Sequence, residues 1–212
     1  CTFNISPEAH LEKEEKGAIT SPNHEFFRNS DGILPEIIKR LHTAREKTKK
    51  EKKELASYAI KTIMNSFWGV LASPNCRYFN LNMANAITAY ARWAIQTTAQ
   101  LIEKKGYKVI YSDTDSVFVE TNFGKEKANE LGRELSIYIN NYYKELLKKQ
   151  YSRLSYLELQ FDKQFLSLMI PQLRKKAEEG EETKATKKRY AGLVEKNGKE
   201  ELEVTGLESI RG

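Results

Sequence analysis

The sequence is poor in cysteine and histidine. Cys1 and Cys76 are the only cysteines in 212 residues, and His10, His24 and His42 the only histidines. Two lone thiols without Cys-x-x-Cys spacing exclude a disulfide framework and a structural zinc site, and they point to a reducing, intracellular compartment. Long apolar runs are missing too. Nothing approaches the roughly 20 residues needed to cross a bilayer, and no charged-then-apolar leader opens the chain, so no membrane partner is expected. Self-similarity at solenoid periods is also missing, which excludes a repeat array.

What is plentiful is charge. The 35 Lys and Arg exceed the 29 Asp and Glu, giving a net charge of +6 and a pI near 9.1. Such a balance suits a polyanionic partner without requiring one. The length fits one substantial domain, or one domain with an appendage. Eight of the cations fall between Lys39 and Lys53. Arg45, Lys49 and Lys52 follow i, i+4, i+7 spacing and would share one helix face, either as a solvated stripe or as a grip on phosphates.

The periodicities predict four helices and at least four strands. Residues 1–34 read as irregular. A helix starts at Pro35 with Ile37, Ile38 and Leu41 on its apolar side. A second runs from Leu55 to Val70, carries Ala56, Ala59, Ile60, Ile63, Met64 and Phe67 at helical spacing, and ends at Gly69. A third spans Asn82 to Lys105. Its stripe of Ala86, Ala89, Tyr90, Trp93, Ala94, Thr97 and Leu101 reads as core rather than as a cofactor surface. A fourth spans Lys125 to Lys149, with Leu131, Leu135, Ile139, Tyr142, Leu146 and Leu147 inward. Strands are expected over Tyr156–Ile170 and Lys188–Val194. Arg174–Lys187 reads as a solvated loop, and Asn197-Gly198 as a hairpin turn. Helix, tight turn, strand, acidic turn, strand is an α+β arrangement with an antiparallel sheet packed on helices.

The acidic turn is the chemical centre of the sequence. In Val109–Glu120, two β-branched and aromatic runs that should be buried strands flank Asp113-Thr114-Asp115. Taken alone, the triplet reads first as a turn in which Asp and Ser cap their own backbone. Two neighbouring carboxylates also repel unless a cation lies close, and Mg²⁺ takes one or two carboxylates while leaving positions for phosphate oxygens and water.

The surrounding motifs reverse the turn reading. Tyr111-Ser112-Asp113-Thr114-Asp115-Ser116 resembles the Tyr-Gly-Asp-Thr-Asp-Ser signature, motif C, of family B DNA polymerases. Lys61-Thr62-Ile63-Met64-Asn65-Ser66-Phe67-Trp68-Gly69 is similar to their motif B. Lys187-Lys188-Arg189-Tyr190 resembles their Lys-Lys-x-Tyr motif. Asn4-Ile5-Ser6-Pro7-Glu8 resembles the tail after motif A, and Val204-Thr205-Gly206-Leu207-Glu208 the approach to the thumb. All five come in the family's order and cover nearly the whole chain.

The resemblance implies a palm with a shortened helical fingers hairpin. Residues 1–34 would form the palm entry, 35–72 the fingers helices and 73–212 the palm with the motif C hairpin. It implies template-directed nucleotidyl transfer from a dNTP to a primer 3′-hydroxyl, with two Mg²⁺ ions and primer–template DNA as partner. By that pattern Asp115 is the ligand shared by both metals and Asp113 the auxiliary acid. Lys61 would contact the triphosphate as the bond breaks, and Arg45 and Lys49 would grip its outer phosphates. Asn65 and Phe67 would line the nucleotide pocket, and Lys187, Lys188 and Tyr190 would hold the primer. The place of work would be the nucleoid, or the nucleus in a nucleated cell. A polymerase-like scaffold and a plain nucleic-acid-binding module are the rivals. A reverse transcriptase would carry adjacent acids, which Thr114 separates here.

Three departures qualify the resemblance. The motif A aspartate would lie about ten residues before Cys1, so it belongs to a preceding segment or a partner polypeptide, as does any exonuclease domain. The 212 residues alone are expected not to polymerise DNA. Arg45 and Lys61 are sixteen residues apart, ~24 Å along an unbroken helix, and reaching one triphosphate requires a helical hairpin near Lys53, where no Gly or Pro marks a turn. Trp68 and Ser112 replace the family's usual Tyr and Gly.

Overall fold

The computed structural model describes residues 1–171, 188–196 and 198–207. The chain divides into two compact units. The first comprises Cys1–Gln96 with Asn141–Glu158, the second Thr97–Asn140 with Leu159–Gly212. Helices and antiparallel sheets together make an α+β fold, and among the described residues the strands form three small sheets.

In the first unit, residues 1–34 are more ordered than their sequence suggests. Strands β1 (His10–Leu11), β2 (Ile19–Thr20) and β3 (Phe26–Phe27) form an antiparallel sheet in the order β1-β3-β2. Ile19 and Phe27, paired across it, are fully buried. Two-residue strands are too short for an alternating pattern to show, which is why the sequence reads as irregular.

Helix α1 (Ile33–Lys50) starts two residues before the expected Pro35. Its N-cap is Gly32, which has no side chain to cap with, and the amide donors are taken up from a distance. The Gly32 N–H donates to Asn4 Oδ1 (2.8 Å), the Ile33 N–H to Glu8 Oε1, and the Leu34 N–H to Ser6 Oγ (3.1 Å). Asn4 in turn donates to the carbonyls of Arg28 and Ser30. Burial raises the Glu8 carboxyl, but the Ile33 N–H and Ser6 hydroxyl outweigh it, so the net shift is downward. The Asn-x-Ser-Pro-Glu segment thus supplies three side-chain oxygens that the helix lacks.

Helix α2 (Glu54–Ala72) follows α1 after a sharp turn. Lys53 N–H donates to Thr48 O (2.9 Å) and Lys52 N–H to Lys49 O (3.0 Å), and Lys52 has φ +55°. This is the Schellman pattern with a lysine in the position that usually takes glycine, so the hairpin near Lys53 forms without the Gly or Pro it was expected to need. Because α1 ends at Lys50, Lys52 sits in the turn and does not share a helix face with Arg45 and Lys49. Nor does Gly69 end α2. The helix runs on to Ala72, and no atom lies within 4 Å of where a Gly69 Cβ would be.

Helix α3 (Leu81–Lys104) carries the core stripe. Met83, Ala84, Ala86 and Tyr90 pack with Phe3, Ile19, Phe27, Leu71 and Leu147. Tyr90 stacks on Phe3, centroids 3.6 Å apart, and donates to Thr20 O (3.1 Å), while burial pushes its hydroxyl pKa up. On α4 (Lys125–Tyr151) the buried tyrosine is Tyr143, not the expected Tyr142, and its hydroxyl donates to Ala94 O (2.7 Å).

In the second unit, β4 (Lys108–Asp113) and β5 (Ser116–Glu120) form one hairpin, and β6 (Ser167–Met169), β7 (Tyr190–Lys196) and β8 (Lys199–Thr205) an antiparallel sheet in that order. Gly198 has φ +75° at the β7–β8 turn, and Asn197 and the loop expected over Arg174–Lys187 lie outside the described residues. The strand expected over Tyr156–Ile170 shrinks to β6. Upstream, side chains occupy the backbone groups a neighbouring strand would use: Asn140 bonds both the N–H and the carbonyl of Leu159 at 2.8 Å. Two glycines admit aromatic rings. A Cβ on Gly132 would lie 2.2 Å from the Phe161 ring, and one on Gly192 would lie 2.3 Å from Phe165.

Candidate active site

The acidic hairpin forms as the sequence predicts, with Asp113 opposite Ser116 and Thr114-Asp115 at the tip. The tip is tight. Asp115 N–H donates to Asp113 O at 2.6 Å across Thr114, which has φ +51°. A β-branched residue at positive φ is disfavoured, and such backbone is concentrated at functional positions. The Thr114 hydroxyl donates to Asp113 Oδ1 (3.2 Å) and the Ser116 hydroxyl to Asp113 O (3.2 Å), so the turn chemistry of the bland reading is present as well. The flanking strands are not buried as expected. Tyr111 alone is buried, at 8% exposure, and the rest of β4 and β5 is exposed or half-buried.

Asp115 is exposed and Asp113 half-buried. Among the described residues no Lys or Arg pairs with either carboxylate, although twelve other ion pairs form. Apart from Asp113 Oδ1, which takes the Thr114 hydroxyl, their oxygens are hard donors of the kind Mg²⁺ accepts. No group of three His, Cys, Asp or Glu side chains gathers around a common point among the described residues.

The same unit holds Lys188 and Tyr190. Lys188 is exposed and has φ +58°. Its N–H donates to Tyr111 Oη at 2.7 Å. Tyr190 lies in an aromatic cluster with Tyr111, Phe118 and Phe165, centroids 5.3 to 6.4 Å away. Lys187 lies outside the described residues. Sequence reasoning missed Tyr111 as more than a packing residue. The only signal was a hydroxyl on an inward-facing strand position, where burial demands a partner.

The first unit holds Arg45, Lys49, Lys61, Asn65 and Phe67 on the α1–α2 hairpin. Arg45 is half-buried, and its Nε is buried without a hydrogen-bond partner. Lys49 pairs with Glu46 at 2.7 Å. Lys61 and Asn65 are exposed, and among the described residues no ion pair involves Lys61. Phe67 is half-buried. Trp68 is 47% exposed, with its indole N–H donating to Ala84 O (3.3 Å). A cavity of about 430 Å³ in the second unit includes none of the expected site residues in its lining. Of its four lining cations, Lys125, Lys163 and Lys196 are paired with Glu195 and Glu203, and Arg133 is the fourth.

Residues 4–212 match the profile of DNA polymerase family B, and the chain belongs to that family. It is 38% identical over 189 residues to DNA polymerase II of Escherichia coli (strain K12), which covers 88% of this chain and 23% of that protein. It is 28% identical over 222 residues to a DNA polymerase of Archaeoglobus fulgidus, covering 99% of this chain and 24% of the relative. With the DNA polymerase delta catalytic subunit of Glycine max the identity is 29% over 238 residues, covering 100% of this chain and 20% of the relative. The chain thus spans about a quarter of these relatives or less. Among the described residues no helix is long and apolar enough to cross a membrane.

Proposed function

We propose that this chain is the part of a DNA-directed DNA polymerase that contains the motif C acids, the nucleotide-gripping helices and the primer-holding segment. The observation that carries the reading is the hairpin tip, where among the described residues Asp113 and Asp115 stand without a cationic partner in a basic chain of this family.

Asp115 and Asp113 would hold Mg²⁺, Asp115 as the shared ligand and Asp113 beside it. Bound there, two such ions would supply Lewis acidity toward the primer 3′-hydroxyl and positive charge toward the triphosphate and pyrophosphate. The protein's own side chains do the rest. Thr114 holds one oxygen of Asp113, leaving the other to face the site. Lys61, unpaired on α2, stabilises charge developing on the triphosphate. Arg45 and Lys49 on α1 bind its outer phosphates, Arg45 through the terminal nitrogens of its guanidinium, since its Nε is buried. Asn65 and Phe67 line the nucleotide pocket, with Trp68 held by Ala84 beside them. Lys187, Lys188 and Tyr190 hold the primer end. In domain terms, 1–34 is the palm entry, 35–72 the fingers and 73–212 the palm. Base selection follows template pairing and pocket shape. The work is intracellular, where the DNA is.

The test is Asp115→Ala in the full-length protein that contains this sequence. Nucleotide incorporation should vanish while primer–template binding persists. Incorporation at the wild-type rate would overturn the reading and favour a plain DNA-binding module. The 212 residues alone should give no primer extension, because among the described residues no third acidic side chain gathers with Asp113 and Asp115; robust synthesis would show that two acids suffice.

A further inference from the structure

We propose that Tyr111 is a positioning residue that sets the backbone of Lys188, and through it the primer-holding segment, relative to the acidic strand. The inference rests on the polymerase reading and extends it to a residue with no assigned role.

Tyr111 and Asp113 are two apart on β4, so their side chains leave the same face of the strand. The Tyr111 ring is wedged edge-on between Phe118 (5.3 Å between centroids) and Tyr190 (6.4 Å) and is nearly buried. Its hydroxyl accepts the Lys188 N–H at 2.7 Å. A phenylalanine would fill the same space, so the hydroxyl is what distinguishes tyrosine here.

Lys188 needs to be held. It has φ +58°, a left-handed conformation that a side-chain-bearing residue adopts at a cost. The opposite side of its peptide is closed by Gly206, which has φ +66° and sits so near that a Cβ there would lie 2.0 Å from the Lys188 carbonyl oxygen. One residue therefore bonds the N–H and another blocks the carbonyl. Between them they leave the Lys188 backbone one place to be, from which its exposed amine projects. The acidic strand and the Lys188–Tyr190 segment are thereby locked by a bond two residues from Asp113.

The experiment uses the full-length protein. Tyr111→Phe should weaken the equilibrium dissociation constant for a matched primer–template about tenfold, the size expected when a part-buried N–H loses its acceptor. The KM for dNTP should stay within about twofold. Gly206→Ala should shift the same constant, and the double variant should fall short of additivity because both act on Lys188. Tyr111→Phe with unaltered primer–template affinity overturns the inference. So does a parallel loss of primer affinity, dNTP affinity and unfolding midpoint, which is the mark of a merely structural tyrosine. Asp115→Ala separates the two claims. If it is inactive while Tyr111→Phe binds primer normally, only the inference fails. If it incorporates nucleotide normally, the polymerase reading itself fails.

Discussion

Helices α2 and α3 are both apolar by composition, and α2 is the more so, yet they end in opposite environments. On α3 the stripe from Met83 to Tyr90 is sealed against the sheet and Phe3. On α2 only Ser57 and Leu71 are buried, while Leu55 is 84% exposed and Tyr58 68%. The difference lies in what each face is made of. Ala84, Ala86 and Ala89 let neighbouring backbone come close, whereas the α2 face alternates bulky apolar groups with Lys61 and Asn65, and a packed core would strand that amine. Apolar periodicity tells which residues share a face. It does not tell whether protein covers it. An apolar face with an unpaired cation in its midst is suited to a ligand that is flat on one side and anionic on another, as a nucleotide is.

Substitutions can break that contrast. The largest effect should come from Tyr90→Ala on α3, with a loss of about 3–5 kcal/mol of stability in urea denaturation; a change below about 1 kcal/mol would mean that the stripe is not core. Next is Lys61→Ala on α2. It should lower kcat about 10²–10³-fold with the unfolding midpoint unmoved, and a large drop in the midpoint would place Lys61 among structural residues instead. The smallest is Glu8→Gln at the base of the hairpin, costing about 1 kcal/mol as a lost helix cap. Because the folded-state carboxyl is held below its ordinary value, its contribution is complete above the unfolded pKa, near 4.5, and disappears as pH falls through the lower folded value. The Gln variant should therefore differ from the wild type at neutral pH and converge on it in acid, as read from denaturation midpoints across that range.

Much of the architecture was legible in the sequence. Helix periods placed α1 to α4 within a few residues, and the β-branched runs around Asp113 gave the hairpin, though not the irregularity between Val109 and Tyr111 or the exposure of its strands. What escaped depends on partners distant in sequence. Asn140 replaces a strand neighbour for Leu159, so an alternating pattern from Tyr156 yields no ladder. Lys52 adopts a glycine conformation because hydrogen bonds from Lys52 and Lys53 reward the turn, which no propensity scale anticipates. Gly69 looked like a helix end because glycine often is one, yet with an open face it costs the helix only about 1 kcal/mol. Of the candidate site, the acids and cations were readable as residue types at family spacing. The Tyr111–Lys188 bond was not, since it joins residues 77 positions apart.

The borrowed caps on α1 have a dynamic consequence. The amides of Gly32, Ile33 and Leu34 are held by Asn4, Ser6 and Glu8, so the helix cannot fray from its start unless the amino-terminal segment lifts away with it. Hydrogen exchange at these three amides should report a shared opening and not three separate ones. At the far end, the Lys52 turn is closed by its own backbone and by the Lys53–Glu51 ion pair (2.8 Å). The root of the hairpin is thus tied to residues far along the chain and its tip only to itself, so displacement of the Asn-Ile-Ser-Pro-Glu run should be felt along the whole of α1.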